Sequence, residues 1–574
     1  MASVTPAHIH RAAGSEVESL EKPARDAGAR PSTGTWATGL TLALLLCRVH
    51  ADAFRSAPLA YLQGVAWRLR RLRLRSRNRL SALKGRSRHA YALWIQRNEP
   101  DVRFADQRAP LSILPIIDCR RNSADLGATL RSLRKAGLST EPIVIGGHES
   151  RGSARVENPS EIARMMTNHR QWLLPLMAGD ELAPHTLNAY AAFAAEAPLN
   201  ASLIYADDDL IDQAGHRHSP HFKPDWNPEL FEHHDYLSGA SILRPEPETL
   251  DGLPAEGWIE QIVRSAARRS PPLHLRQMLH HRRSRPLPVV PPKTSAVPLT
   301  SPPTVTAIIP TRNRHELLRM CVDGLSRTTY PGIATIIIDN DSDESDTRAY
   351  LETLKSAGTE VMRIPGPFNY SALNNAAVQG VTSDLLCFLN NDVEMIDPDW
   401  LALLVRQAVK KDIGAVGPRL LYPDGTIQHA GVFTGIGGGA GHGHRFQHPD
   451  DPGYFHRASL PQRVSAVTGA CLVVEREKFL AVGGFDEEQF PVAFNDVDLC
   501  LKLNERGWQS FYEPRATLIH HESKSRGSDS LRINRSRFAG ELAALKRVWS
   551  TDRFRDPYHH PELSPFCEQF LISV

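Results

Sequence analysis

Cysteine is scarce and shows no pairing pattern. Seven in 574 residues (Cys47, Cys119, Cys321, Cys387, Cys471, Cys500, Cys567) are odd in number, widely spaced and contain no C-x-x-C. That excludes a disulfide framework or a zinc ribbon and fits a reducing compartment, the cytoplasm. A long apolar run is also missing. The nearest, Trp36 to Cys47 (W-A-T-G-L-T-L-A-L-L-L-C), has twelve residues, too few to cross the roughly 30 Å hydrocarbon layer as a helix. It reads as an interfacial or a buried helix. Met1 to Arg30 is polar and has no apolar core for a cleavable leader. Net charge is nearly absent as well, since Lys+Arg 67 against Asp+Glu 64 leaves +3, no footprint for nucleic acid.

What is present is ordinary for globular chains: 41% hydrophobic and 23% charged residues argue against wholesale disorder and against many membrane spans. At about 150 residues per domain the length predicts two to four domains. Charge is uneven in one place, Arg68 to Arg88, where ten basic residues occur without an acid. Two readings stand: attraction to an anionic membrane face, with Trp36 to Cys47 as apolar companion, or a solvated basic helix. Stacking aromatics are not interleaved there, so nucleic acid is not expected as a partner.

Seven of the eighteen residues from Pro286 to Pro303 are proline, the composition of an extended linker. It divides the chain into a basic, partly apolar arm (1–100), a first domain (105–285), the linker (286–303), a second domain (304–550) and a tail (551–574). Past the linker, Val305 to Thr311, Ala334 to Asn340 and Asp384 to Asp392 are apolar runs, the first two rich in β-branched residues. Helix-like segments at Glu316 to Arg327, Tyr370 to Val378 and Trp400 to Lys410 alternate with them. That alternation predicts an α/β domain with a mostly parallel, Rossmann-like sheet and ligands at the carboxyl ends of its strands. The polar residues fall there: Thr311, Arg312 and Asn313 after the first strand, Asp339 and Asn340 after the second, Asn390, Asn391 and Asp392 after the fourth. Before the linker, Leu111 to Asp118, Trp172 to Asp180 and Leu275 to Arg283 repeat the pattern with fewer acids, the mark of a second, degenerate copy.

Asp392, at the end of a buried strand, is placed to hold Mg²⁺ or Mn²⁺ with a substrate phosphate; Glu394 reads as a surface residue. Asp496 opens a helix for which Asn495 is a good N-cap and Asp498 a capping partner. With the glycine turn Thr468-Gly469-Ala470 beside it, Asp496 is a candidate general base. Gly435 to Ala440 formally matches a dinucleotide fingerprint, but Gly441, Gly443 and Pro449 follow, so no helix receives a pyrophosphate. With His442, His444 and His448 the segment reads as a mobile loop that closes over a substrate.

The second half resembles a family 2 glycosyltransferase of GT-A fold, in particular the bacterial rhamnosyltransferase-like, O-antigen group. The motifs are A-I-I-P-T-R-N (307–313), I-I-I-D-N-D-S (336–342), F-N-Y-S-A-L-N-N-A (368–376), F-L-N-N-D-V-E (388–394), T-G-A-C-L-V-V (468–474), G-G-F-D-E (483–487) and N-D-V-D-L-C-L-K (495–502). The first half is similar to the same family through Y-A-D-D-D-L-I-D (205–212) and H-F-K-P-D-W-N-P-E-L (221–230). The resemblance implies two tandem GT-A-like domains and an inverting transfer from a dTDP- or UDP-sugar, rhamnose being commonest, to a glycan or lipid-linked acceptor. It implies that Pro310, Thr311, Asn313, Asp339, Asn340, Asn390, Asn391, Gly469 and Ala470 contact the nucleotide sugar, Asp392 and His520 the metal, and that Asp496 is the catalytic base. Asn495 and Asn390 stand where the family usually has acids. Those departures keep a non-catalytic assembly protein as the alternative. A nucleotidyltransferase is disfavoured because Thr311-Arg312-Asn313-Arg314 lacks a glycine. The expected place is the cytoplasm, with the basic arm peripheral at the inner face of the membrane.

Overall fold

A computed structural model of the chain describes residues 35–99, 111–138, 140–146, 153–166, 171–293, 299–522 and 532–574. The stretch read as lacking a leader and residues 294–298 of the proline-rich segment lie outside these. The N-terminal part is four helices, Thr35–Ser56, Pro58–Leu69, Arg73–Gly85 and Ala90–Asn98. The basic run ends the second, turns at Arg71 with φ 58°, and forms the third. Among the described residues no helix is long and apolar enough to cross a membrane. Leu80, Leu83, Leu93 and Trp94 are buried, whereas Leu40, Leu59, Leu62, Leu69 and Leu74 are exposed.

Two sheets follow. The first holds β1 (Ile113–Asp118), β2 (Ile143–Ile145), β3 (Ala154–Val156), β4 (Trp172–Met177), β5 (Glu181–Leu182), β6 (Leu203–Ile211), β7 (Arg217–His221), β8 (Ser241–Leu243) and β9 (Leu273–Arg282). The second holds β10 (Val305–Thr311), β11 (Ile333–Asp339), β12 (Glu360–Arg363), β13 (Leu385–Leu389), β14 (Val393–Met395), β15 (Ile413–Leu421) and β16 (Ile427–His429). A small hairpin, β17 (Val432–Thr434) and β18 (Ala440–His442), stands apart, and β19 (Gln462–Val464), β20 (Cys471–Glu475) and β21 (Gln509–His520) complete the second sheet. The orders are β3-β2-β1-β4-β8-β6-β9-β5 and β12-β11-β10-β13-β20-β15-β21-β14. Each begins with four parallel strands, continues through two antiparallel pairings, returns to a parallel one and ends antiparallel. One connectivity is therefore used twice, with β17, β18 and β19 added in the second copy. Continuous apolar strands such as β10, buried along its whole length, require cover on both faces.

Residues 551–574, expected as a tail, are packed into both halves. Asp556 accepts from Thr434 N (2.6 Å), Thr434 Oγ1 (2.9 Å) and Ser465 Oγ (2.5 Å). Pro557 O accepts from Asp225 N of the first domain at 2.7 Å. Trp94 Nε1 donates to Glu562 at 2.7 Å, and Ser81 and Ser564 share a hydrogen bond. One apolar core accordingly contains Tyr91 and Trp94, Phe222 and Met278, Phe433 and Val464, and Tyr558, Leu563 and Phe570. Between the domains, Asn227 exchanges two hydrogen bonds with the Arg463 backbone, and the Arg463 guanidinium forks onto Glu229 at 2.7 and 3.0 Å.

This junction is rich in neutral histidine. Burial pushes His234, His444 and His559 down to about 3, the Arg457 guanidinium adding to the effect on the last two. A histidine depressed in the folded state stabilises above its unfolded value of about 6.5 and loses that contribution as pH falls toward the folded value. The thermal midpoint of unfolding should hold above about pH 7 and drop steadily toward about pH 5, less steeply in His444→Gln; an unchanged midpoint would show that these rings are not buried neutral.

Candidate functional site

Strand pairing decides which residues meet. β10 pairs in parallel with β11 on one side and β13 on the other, Thr311 opposite Asp339 and Ile308 opposite Phe388, so three strand ends emerge on one edge. β20 runs antiparallel to β13 with Cys471 opposite Leu389, which brings its leading turn to the same edge; Asn390 N donates to Ala470 O at 2.9 Å. β21 runs antiparallel to β14 with His520 opposite Val393, delivering its last residue beside Asp392.

At that edge lies a cavity of about 780 Å³. Of the residues expected from the sequence, Pro310, Thr311, Asn313, Asn390, Asn391, Gly469, Ala470, Asp496 and His520 line it. Asp339, Asn340 and Asp392 do not. Asp339 accepts from Ser342 N at 2.9 Å, closing a turn, and Asn340 donates to Ile364 O at 2.9 Å and Gly366 O at 3.3 Å. Asp392 is buried behind His520, its Oδ1 3.1 Å from His520 Nε2. Asn313 and Arg314 take left-handed backbone (φ 60° and 61°). The Asn313 side chain binds Asp343 and Glu344 through three contacts of 2.7 to 3.1 Å, fixing the lip of the cavity.

Asp496 sits in the first turn of the helix Asn495–Glu505, half-buried on the cavity wall. Its Oδ2 accepts from Gly469 N and its Oδ1 from Val497 N, both at 2.8 Å. Tyr370 Oη in turn donates to Gly469 O at 2.8 Å, so carboxylate, glycine turn and tyrosine form one rigid unit. The expected capping is corrected here. Phe494, left-handed at φ 60°, holds the N-cap position, and Asn495 instead donates to Val492 O. Asp498 serves packing: it accepts from Trp549 Nε1 at 2.9 Å and pairs with Lys502 at 2.9 Å.

A polar relay orients His520. Gln428 Nε2 donates to Glu522 at 3.0 Å, which turns Gln428 Oε1 toward His520 Nδ1 at 2.7 Å and assigns the ring proton to Nδ1. His520 Nε2 then faces the Asp392 carboxylate, Asn390 Nδ2 standing farther off at 3.4 Å. An imidazole nitrogen and a carboxylate oxygen at that distance are a ligand pair suited to Mn²⁺ or Mg²⁺ with added oxygen ligands. His521 pairs with Glu394 at 2.9 Å, so Glu394 is half-buried and engaged rather than simply surface.

The glycine-rich segment expected as a mobile loop is the β17–β18 hairpin, tied down by Asp556 and by the Val432–Ala466 bridge. A Cβ at Gly439 would lie 2.5 Å from Leu542, so the glycine permits close packing against the helix Arg532–Trp549. The hairpin delivers His442, held neutral near 3 by burial and by Arg445, to the cavity. Arg312, Arg314, Arg445 and Arg537 also line it; Arg445, Glu522 and Arg537 belong to no motif read from the sequence.

In the first domain, β5 and β9 place Glu181 opposite His281 as β14 and β21 place Val393 opposite His520. Asp180 and His281 thus correspond to Asp392 and His520, and Gly239 stands in S-G-A (238–240) as Gly469 does in T-G-A (468–470). There the Arg282 guanidinium lies so close over Gly239 that a Cβ would meet it at 2.6 Å. Asp208 pairs with Lys223 at 2.7 Å and binds the Arg285 guanidinium.

Residues 306–480 match the family model described as glycosyl transferase family 2. The chain is 38% identical over 421 residues to an uncharacterized protein, y4gI, of Sinorhizobium fredii, covering 65% of this chain and 46% of that one. It is 34% identical over 435 residues to the O-antigen biosynthesis protein RfbC of Myxococcus xanthus, covering 68% and 33%. Over 226 residues it is 29% identical to the N-acetylglucosaminyl-diphospho-decaprenol L-rhamnosyltransferase of Mycobacterium tuberculosis, covering 36% and 72%. The chain thus spans less than half the length of the first two relatives.

Glu541, buried, accepts from Val492 N and Ala493 N at 2.9 and 3.1 Å and so pins the loop before Asp496. Glu541→Ala should lower the unfolding free energy by about 1–3 kcal/mol and speed hydrogen exchange at the Val492 and Ala493 amides.

Proposed function

We propose, starting from a chain that carries a family 2 glycosyltransferase domain over residues 306–480, that it moves a sugar from a nucleoside-diphosphate donor to a glycan or lipid-linked acceptor with inversion at the anomeric carbon. The setting is surface polysaccharide assembly, and the name of the M. xanthus relative supports it; that of the mycobacterial relative supports rhamnose as the sugar. The observation that carries the reading is one cavity containing Asp496, His520 with Asp392 behind it, and guanidinium groups from separate elements.

Arg312, Arg314 and Arg445 supply positive charge for a diphosphate, and Phe368, Tyr370 and Phe494 supply faces for a base or sugar ring. The acceptor hydroxyl gives its proton to Asp496 as its oxygen bonds to sugar C1. The C1–O bond to the diphosphate breaks with its electron pair going to the leaving group. Asp392 and His520 are the residues to hold a divalent ion, Mg²⁺ or Mn²⁺, which when bound adds charge beside the leaving diphosphate. The first domain, with Arg282 over Gly239, takes a non-catalytic role.

Asp496→Asn keeps an oxygen for Gly469 N–H and should lower turnover by about 10²-fold or more while donor binding stays intact; normal turnover would remove Asp496 from the mechanism. Calorimetry with dTDP, UDP and GDP, with and without Mn²⁺, should show metal-linked binding of one nucleotide that is lost in Asp392→Ala. Binding of none would favour a non-catalytic assembly role.

A further inference from the structure

Far from this site in the sequence, the N-terminal helices and residues 566–574 enclose a second cavity, of about 720 Å³, within the usual range of ligand pockets of about 300–1,000 Å³. We propose that it binds a diphosphate group. Arg68, Arg71, Arg73, Arg77 and Lys84 line it together with His50, and no Asp or Glu is on its wall. Among the described residues no acidic side chain pairs with those four arginines; Arg77 lies 4.7 Å over the Phe566 ring. Lys84 Nζ donates to Val574 O of the same wall at 2.7 Å, whereas the four arginines are exposed around the cavity, and like charges gathered on one wall repel one another until an anion enters. The crowding is visible at Lys84, which burial and then Arg97 and Arg68 push down.

A second observation is independent of charge. Ser76 lines the cavity and is buried, and its Oγ has no hydrogen-bond partner among the described residues. It stands in the first turn of the helix Arg73–Gly85, whose N-cap, Leu72, offers no side-chain cap. Free first-turn N–H groups, a hydroxyl and forked guanidinium groups are the donor set that phosphate oxygens accept from.

A diphosphate reaches such a site either as a soluble ion or as the headgroup of a lipid carrier. The second source deepens the acceptor reading above and rests on it, whereas the phosphate chemistry does not. Leu59, Leu62, Leu69, Leu72 and Leu74, exposed on the same helices, give a lipid chain somewhere to lie.

The test uses the full chain carrying Arg312→Ala/Arg445→Ala and no divalent metal, so that the glycosyltransferase cavity loses guanidinium groups assigned above to its diphosphate. Inorganic pyrophosphate should bind by calorimetry, weakening about tenfold or more in Arg71→Ala/Arg77→Ala and less in Arg71→Lys/Arg77→Lys. Both positions are exposed, and an unchanged thermal midpoint confirms that the variants fold. Absence of binding, or binding indifferent to both double variants, overturns the proposal without touching the Asp496 reading. Sedimentation with phosphatidylcholine vesicles containing a polyprenyl diphosphate separates the sources. Competition by pyrophosphate assigns the cavity to a lipid headgroup, and pyrophosphate binding that leaves sedimentation unchanged assigns it to a soluble diphosphate.

Discussion

The pairing of β10 between two parallel neighbours is the constraint from which the site follows. Parallel strands need crossover connections, so their ends collect on one edge and their loops must be polar. An antiparallel strand added beside them necessarily starts where they finish. β20 therefore brings Gly469 and Ala470 against Asn390, and β21 ends with His520 against Asp392. A cavity assembled from residues 310 to 537 is a consequence of hydrogen-bond register, with no segment having to reach for it.

The repeated connectivity shows how little of that geometry commits the protein to chemistry. The first domain keeps the frame and even Asp180 and His281 at matching places. What differs is occupancy: Arg282 lies over Gly239, and Asp208 is neutralised by Lys223 and Arg285. Its Asp207, Asp208 and Asp209 are all buried, and Asp207 and Asp209 face His274 and Arg217. Three adjacent buried carboxylates are tolerated because each has polar partners, and Asp209 and Asp207 tie the domain to Tyr91 of the helix Ala90–Asn98 and to His560.

Much of this was legible in the chain. β-branched apolar runs located β10 and β11 to within a residue, and the apolar run Asp384 to Asp392 contained β13 but ran three residues past its end, because a strand buried on both faces leaves an unbroken apolar record. Asp392 and Asp496 stood out as acids at strand and helix ends. Asp339 and Asn340 occupy an equally good position, but their side chains are consumed by a local turn and by backbone carbonyls, which sequence does not distinguish from ligand contacts. Asn495 looked like a cap because its residue type favours that role; the backbone turned left-handed one residue earlier, at Phe494. Arg445, Glu522 and Arg537 were invisible, since each reaches the cavity through tertiary packing. Residues 551–574 read as a tail because Tyr558, Leu563 and Phe570 are too sparsely spaced to form a periodic face.

That closing segment has a consequence for how the protein is made. Tyr558, Leu563 and Phe570 belong to the same core as Tyr91, Trp94 and Phe222, and Ser564 meets Ser81. During synthesis the N-terminal helices leave the ribosome long before the residues they pack against. They must wait, with their leucines and arginines uncovered, until nearly the whole chain has followed. Completion of the fold is thus a late docking event, which cannot precede the synthesis of residues 551–574.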